Sequence, residues 1–474
     1  MKSTSDHDKK RSFELKNLAV LLPLAVAAVM CGIVIKRELW FDEALTLMNF
    51  VLPLDLSAIY FNYTIPNNQI VYSMLLKIWD NLNWGFMDLT IFWRLLSVIF
   101  SMAFILIIMQ LRSKTDESRY PALLVLSVMS VSSVFINYAT ALRGYAASWC
   151  FIAMMLYALY LIFKAEKRSG WLLYVVSALL AAGTVPTNLL AMSAALAYAL
   201  VWMQKEFWQD KRFYLAAAVI PLALIVFYAP IAKNFLATFK LGEGFATRTG
   251  ALGMVLGMYV SCFGLLLLFA PWGMSKKPLP HYLSYLIWLM PAAAIFILHK
   301  APFPRVFVTM LPVLAMLIID GIKKVVSENW RIYHQTAFFL LAICVQALLL
   351  PGLMLAASKC SVSDVEDDFF RPYYMAKSYR PAAAAEDIKQ QSGGKVVFLS
   401  FNSDPLPILF YSLLNNTDTR NYVCDIPYNS VKILPYGTTV VLKENEDIAA
   451  MEKRFNCKLI LLKELGRLKL CRAE

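Results

Sequence analysis

Charge is scarce in this chain. Lys, Arg, Asp and Glu make up only 16% of its 474 residues, whereas 59% are hydrophobic and 14% aromatic. Soluble domains carry about a quarter charged residues, so that class is excluded for most of the chain, which belongs in lipid. Histidine is scarcer still. His7, His281, His299 and His334 lie far apart, and no metal-type Cys or His spacing appears. This argues against a histidine-based metal site or a Ser-His-Asp type triad. Internal repeats and low-complexity segments are absent as well. A transporter built from two repeated halves with paired broken helices would show such a repeat.

A formal net charge of +13 is present. The Lys and Arg residues are spread over many short loops instead of one face, which excludes a nucleic-acid surface. The apolar run Leu18–Ile35 is long for a signal-peptide core, and no small-residue cleavage site follows it. It reads as a retained first span. Further runs fall at 91–111, 121–137, 146–163, 171–186, 188–203, 213–231, 251–271, 283–298, 305–320 and 336–357. The fold class is therefore a polytopic α-helical membrane protein with about 11 spans. Basic clusters at Lys9–Arg11, Arg112–Arg119, Lys164–Arg168, Lys205–Arg212, Lys276–Lys277 and Lys323–Arg331 share one side if the spans alternate. The positive-inside rule makes that side cytoplasmic. The loop 36–90, the turn at Arg143, the loop 232–250, the turn 300–305 and the tail then lie outside, in a multi-pass inner-membrane protein.

The chain divides into a membrane domain (1–357), a linker (358–383) and a small outer α/β domain (384–474). In the last, 395–399, 438–442, 458–462 and 467–471 read as strands, with helices at 405–414 and 448–455. Cys31, Cys150, Cys262 and Cys344 lie in or beside spans and read as small core residues. Cys360, Cys424, Cys457 and Cys471 lie outside the membrane. A hairpin turning near Glu464–Gly466 would bring Cys457 opposite Cys471, with Cys360 and Cys424 as a second pair; spacing alone allows three connectivities.

Three outer stretches carry candidate chemistry. Asp42-Glu43 follows the first span, where adjacent carboxylates are costly to hold. Thr64-Ile65-Pro66-Asn67-Asn68-Gln69-Ile70-Val71-Tyr72-Ser73 interrupts amphipathic stretches (45–60 and 70–84) suited to the membrane surface, and Arg94-Leu95-Leu96-Ser97 opens the next span. Tyr138-Ala139-Thr140-Ala141-Leu142-Arg143-Gly144-Tyr145 joins two spans through a short polar turn.

This order resembles the membrane glycosyltransferases of the GT-C class, in particular bacterial relatives of protein O-mannosyltransferases and of the lipid A aminoarabinose transferase. Their Asp-Glu pair, "NNHxLYS" stretch, "RLxS" and "YxxEARxY" turn match residues within about 15–320. Two positions depart: Gln69 stands where a His is expected, and Ala141 where an acid is expected. The resemblance implies a sugar carried on a polyprenyl phosphate and an acceptor hydroxyl on a lipid, glycan or protein, with membrane lipids around it and no nucleic acid. Asp42 is the candidate base, and Glu43 is either the base in its place or the group that holds Asp42 or the acceptor. Arg143, Arg305, Arg94 and Lys77 are candidates for the leaving phosphate, although headgroup snorkelling and helix capping explain such cations too. Asn67, Asn68, Gln69, Tyr72, Tyr138 and Tyr145 are candidates for sugar or acceptor hydroxyls, and the Asn and Tyr72 side chains alternatively shape the Pro66 turn. No cofactor follows from the sequence, and divalent-metal use stays open. A lipid-linked saccharide flippase and an inactive assembly subunit are the alternatives.

Overall fold

The structure is a computed structural model. It describes residues 21–65, 68–83, 85, 87–115, 119–203, 210–240, 248–273, 290–296, 304–325, 332–359, 381–391, 395–399, 405–415, 417, 419–424, 431, 433–443, 446–465 and 468–474. These form two compact units. One comprises 21–36 and 54–359, the other 37–53 and 381–474. Asn67, His281, His299, Cys360, the acidic stretch 364–368 and most of the 358–383 connection lie outside the described residues, as does most of the 283–298 span.

The first unit is a bundle of apolar helices, as expected of a polytopic membrane protein. Among the described residues, five helices are long and apolar enough to cross a membrane: Leu89–Thr115, Tyr145–Phe163, Lys211–Ala237, Arg248–Trp272 and Arg305–Val325. Shorter apolar helices include Leu21–Val34, Ser169–Thr184 and Asn188–Val201. Tyr145–Phe163 and Arg305–Val325 are 78% and 83% buried, against 33% for Lys211–Ala237, so the first two sit inside the bundle and the third on its rim. Trp149 marks that interior: its ring stacks on Phe135 at 5.2 Å and its Nε1 donates to the Val308 carbonyl at 2.8 Å. Cys31, Cys150 and Cys262 are buried as expected, but Cys344 is exposed on the Ile332–Lys359 helix.

The run read as one span over 121–137 is two helices, Tyr120–Ser130 and Ser133–Ala139, bent by 75°. Hydroxyls cause the break. Ser130 Oγ bonds back to the Leu126 carbonyl at 2.7 Å, and Ser132 Oγ caps the new helix by accepting from Phe135 N–H at 3.1 Å. Hydropathy does not register a change of direction that conserves apolar character. The bend aims the second piece at the Thr140–Gly144 turn.

A second correction concerns Arg112, which the charge pattern reads as a loop cation. Its side chain is 1% exposed and donates to Asp320 Oδ1 (2.8 Å), the Met316 carbonyl (3.0 Å) and Tyr198 Oη (3.2 Å). Tyr198 in turn donates to Asp320 Oδ2 at 2.6 Å. This network ties three helices together, because a cation inside the bundle needs a carboxylate and satisfied protons.

In the second unit, residues 381–474 build a five-stranded mixed sheet: β1 Val396–Phe398, β2 Tyr422–Cys424, β3 Thr439–Lys443, β4 Leu459–Leu465 and β5 Leu468–Ala473. The order is β2-β1-β3-β5-β4, with β1 parallel to both neighbours and the β3–β5–β4 edge antiparallel. Alternation along the strands fills two cores. Val396, Phe398, Val441 and Leu470 pack with Ala384, Ala385, Ile388 and Ile408 on one face; Val397, Leu399, Val440, Leu442 and Cys471 pack with Phe455 on the other. Helices Pro405–Leu414 and Ile448–Phe455 stand where the sequence implies them. Helix Pro381–Gln391 and β2 are additions. The first begins inside the expected linker and buries an alanine face that a hydrophobicity reading passes over.

The Cys457–Cys471 pairing is not made. Both are free thiols. The hairpin forms, but its strands meet with Leu465 opposite Leu468, later in the chain than a turn near Glu464–Gly466 implies, so Cys471 stands opposite Leu461. Cys457 lies before β4, its N–H bonded to the Glu452 carbonyl at the end of a helix.

Candidate active site

The carboxylates lie in the second unit. Arg37 to Trp40 lead into a six-residue helix, Phe41–Thr46. It continues without a break into a π-helical turn, Leu47–Val51, and side chains fasten its start. Glu43 Oε2 accepts from Trp40 N–H at 3.2 Å, and Glu43 Oε1 accepts from Arg37 Nη2 at 3.3 Å. Glu43 is fully buried and Arg37 nearly so, which makes the pair a matched buried charge. Thr46 Oγ1 closes the helix on the Asp42 carbonyl at 2.8 Å. Glu43 is thus committed to the start of the helix, and its neighbour Asp42 is buried beside it at 7% exposure.

The other motifs meet in the first unit. Helix Ile70–Asp80 follows Gln69, whose side-chain oxygen accepts the Gly144 N–H. Tyr72 Oη and Ser97 Oγ are 2.6 Å apart, and Ser97 Oγ donates to the Ala141 carbonyl at 2.6 Å. Ser97 has one proton, so Tyr72 is the donor in their bond. Below the turn, Ser148 Oγ donates to the Gly144 carbonyl (2.8 Å), and Asn188 Nδ2 donates to Ser148 Oγ (2.8 Å). Gly144 is required by space. A Cβ there would lie 2.4 Å from Thr184 Cγ2 and 3.1 Å from both Gln69 Oε1 and Tyr72 Cβ. Tyr138 and Tyr145 flank the turn edge to face, with centroids 4.8 Å apart.

Stretches near 69, 97 and 143 thus form one polar knot, and it carries Arg143, which is 3% exposed. Ser97 and Gly144 belong to it although only the motif order, and no individual chemistry, pointed to them. The Gln69 departure has a structural use here, since an amide oxygen accepts the turn N–H. Asn68 is likewise engaged locally: its Nδ2 donates to the Ile59 and Asn62 carbonyls at 2.9 and 3.2 Å, shaping the loop.

The remaining cations differ in setting. Arg94 is fully buried and its Nη1 donates to the Ile35 carbonyl at 3.2 Å, at the C-terminal end of helix Leu21–Val34. A cation at that pole stabilises it. Arg305 is 9% exposed and opens the 3₁₀ segment Pro304–Met310. Tyr259 and Trp149 fix that segment by donating to the carbonyls of Phe307 and Val308, at 3.1 and 2.8 Å. Lys77 sits half-buried in the last turn of Ile70–Asp80. Among the described residues, no three His, Cys, Asp or Glu side chains gather as a metal-binding group.

No protein-family model and no curated protein matches the chain. Solved structures do. The crystal structures of ArnT from Cupriavidus metallidurans bound to undecaprenyl phosphate and in the apo state align with it at a TM-score of 0.55. This chain has the ArnT fold. The match spans 95% of this chain and 97% of ArnT, at 12% and 13% identity. The likeness therefore covers both the helical bundle and the region of the C-terminal sheet, and the GT-C architecture implied by the motif order is the architecture found.

Proposed function

We propose that this protein is a glycosyltransferase that moves a sugar from a polyprenyl-phosphate donor to an acceptor hydroxyl on the extracytoplasmic face of the inner membrane. The observation that carries the reading is the hydrogen-bonded knot of Gln69, Tyr72, Ser97, Ala141 and Gly144 in a chain with the fold of ArnT, a protein whose crystal structure holds undecaprenyl phosphate. Asp42 takes the acceptor proton as the acceptor oxygen attacks the anomeric carbon. The bond from that carbon to the phosphate oxygen breaks, and polyprenyl phosphate leaves with the electron pair. Carboxylate charge favours the oxocarbenium character of the carbon. Arg143, assisted by Arg305, Arg94 or Lys77, offsets the negative charge on the leaving phosphate. Glu43 and Arg37 keep Asp42 in place. Tyr138, Tyr145, Asn67 and Asn68 are the remaining candidates for sugar or acceptor hydroxyls.

The test is mass spectrometry of envelope glycolipids and glycoproteins from cells carrying the wild-type chain, Asp42→Asn, or no copy. A saccharide-bearing species should disappear in the last two, while purified Asp42→Asn still binds undecaprenyl phosphate. Identical spectra from wild type and Asp42→Asn would overturn the reading and favour a flippase or an assembly subunit.

A further inference from the structure

Residues 37–53 belong to the same compact unit as the C-terminal sheet, although more than 300 residues of chain separate them. Among the described residues, two hydrogen bonds contribute to the attachment. Leu39 N–H donates to Tyr411 Oη at 2.8 Å, and Ala382 N–H, in the first turn of helix Pro381–Gln391, donates to Glu38 Oε2 at 2.7 Å. Tyr411 lies on helix Pro405–Leu414 with its ring packed on the sheet core. That packing leaves its hydroxyl little freedom. Leu39 is fully buried, so its N–H has no water to turn to.

The consequence falls on Asp42. Consecutive backbone N–H groups before its helix are fixed from two directions, Leu39 by Tyr411 and Trp40 by Glu43. Helix Phe41–Thr46 runs on into the π-helical turn Leu47–Val51, and these bonds fix its first residues, next to the Asp42 carboxylate. Glu38 adds a charge-assisted bond at the positive pole of helix Pro381–Gln391. We infer that Tyr411 and Glu38 are positioning residues for Asp42, so that the α/β domain is part of the reaction machinery and not an appended module. This rests on Asp42 acting as the base.

Tyr411→Phe keeps the ring and removes only the hydroxyl. Glu38→Gln keeps an acceptor oxygen, and Glu38→Ala does not. Hydrogen–deuterium exchange on the full-length protein in detergent should show peptides covering 38–46 exchanging about tenfold faster in Tyr411→Phe and Glu38→Ala, near wild type in Glu38→Gln. Peptides covering 140–150 should not change. The saccharide species lost in Asp42→Asn should fall about tenfold or more in the first two variants and recover in Glu38→Gln. Binding of undecaprenyl phosphate should stay within about twofold, which a general loss of structure would not allow. Unchanged exchange over 38–46 overturns the inference whatever the product does. Wild-type product levels in Tyr411→Phe, with product absent in Asp42→Asn, overturn it and leave the proposed function standing. Product indifferent to Asp42→Asn defeats the proposed function itself, and the exchange rates then report on the clamp alone.

Discussion

Gln69 accepts a hydrogen bond from the backbone N–H of Gly144, 75 residues further along the chain. The bond joins the surface loop before Ile70–Asp80 to the turn carrying Arg143, in an interior where neither group is replaced by water. Replacing Gln69 by Leu removes the acceptor and leaves a buried N–H, at a cost of about 1–3 kcal/mol. Gln69→Glu retains an acceptor oxygen and should be milder. Thermal unfolding of the two purified variants in the same detergent ranks them, and equal melting points would show that the bond contributes nothing.

Gly144→Ala should be destabilising by about 1–3 kcal/mol through overpacking, since the new methyl would collide with Thr184 Cγ2. Thr184→Ser removes that methyl. The double variant should recover much of the lost stability, and it should recover product formation with it. A double variant no better than Gly144→Ala alone would place the clash elsewhere.

The Arg112–Asp320 pair makes a prediction of opposite character. Removing one partner, as in Arg112→Met or Asp320→Leu, strands a charge inside the bundle and should cost about 3–5 kcal/mol. Removing both leaves no stranded charge. The double variant should therefore unfold closer to wild type than either single variant, which a double-mutant cycle measures directly.

The thiols of the α/β domain should be unequal in reactivity. Burial pushes the Cys471 thiol up to about 11, and the half-buried Cys457 thiol is raised as well. At pH 8 both are protonated, and only Cys457 is accessible. Iodoacetamide at that pH should label Cys457 slowly and Cys471 only after unfolding, because the thiolate is the nucleophile. A non-reducing peptide map should contain both as free cysteines; a linked peptide would contradict the register of β4 on β5.

Asp42 and Glu43 should separate in their effects. Asp42→Asn should abolish turnover with little change in stability. Glu43→Gln breaks a buried ion pair with Arg37 and should lower both stability and turnover. If Asp42→Asn unfolded as readily as Glu43→Gln, the division of labour between them would be refuted.

The amino-acid sequence determined the class of this protein and the outline of its α/β domain. Apolar runs of span length require a lipid environment, and the short apolar, β-branched runs Val396–Leu399 and Val440–Leu442 suit strands buried on two faces of a sheet. Such patterns are local, so they survive without coordinates. The motif order further implied the architecture that ArnT shares. Tertiary structure decided everything that depends on partners distant in sequence. It turned Arg112 from a loop charge into half of an ion pair by bringing Asp320 beside it. It gave Gln69 a backbone N–H to receive, and it set Cys471 against Leu461 by joining the strands at Leu465 and Leu468, later than the residue pattern around Glu464–Gly466 implies. Above all, it divided two adjacent carboxylates. Asp42 and Glu43 are equivalent in sequence, and Arg37, the Trp40 N–H and the surrounding burial commit Glu43 to the loop. Charges and hydrogen bonds act over a few ångströms of space, whatever the length of chain between the groups that make them.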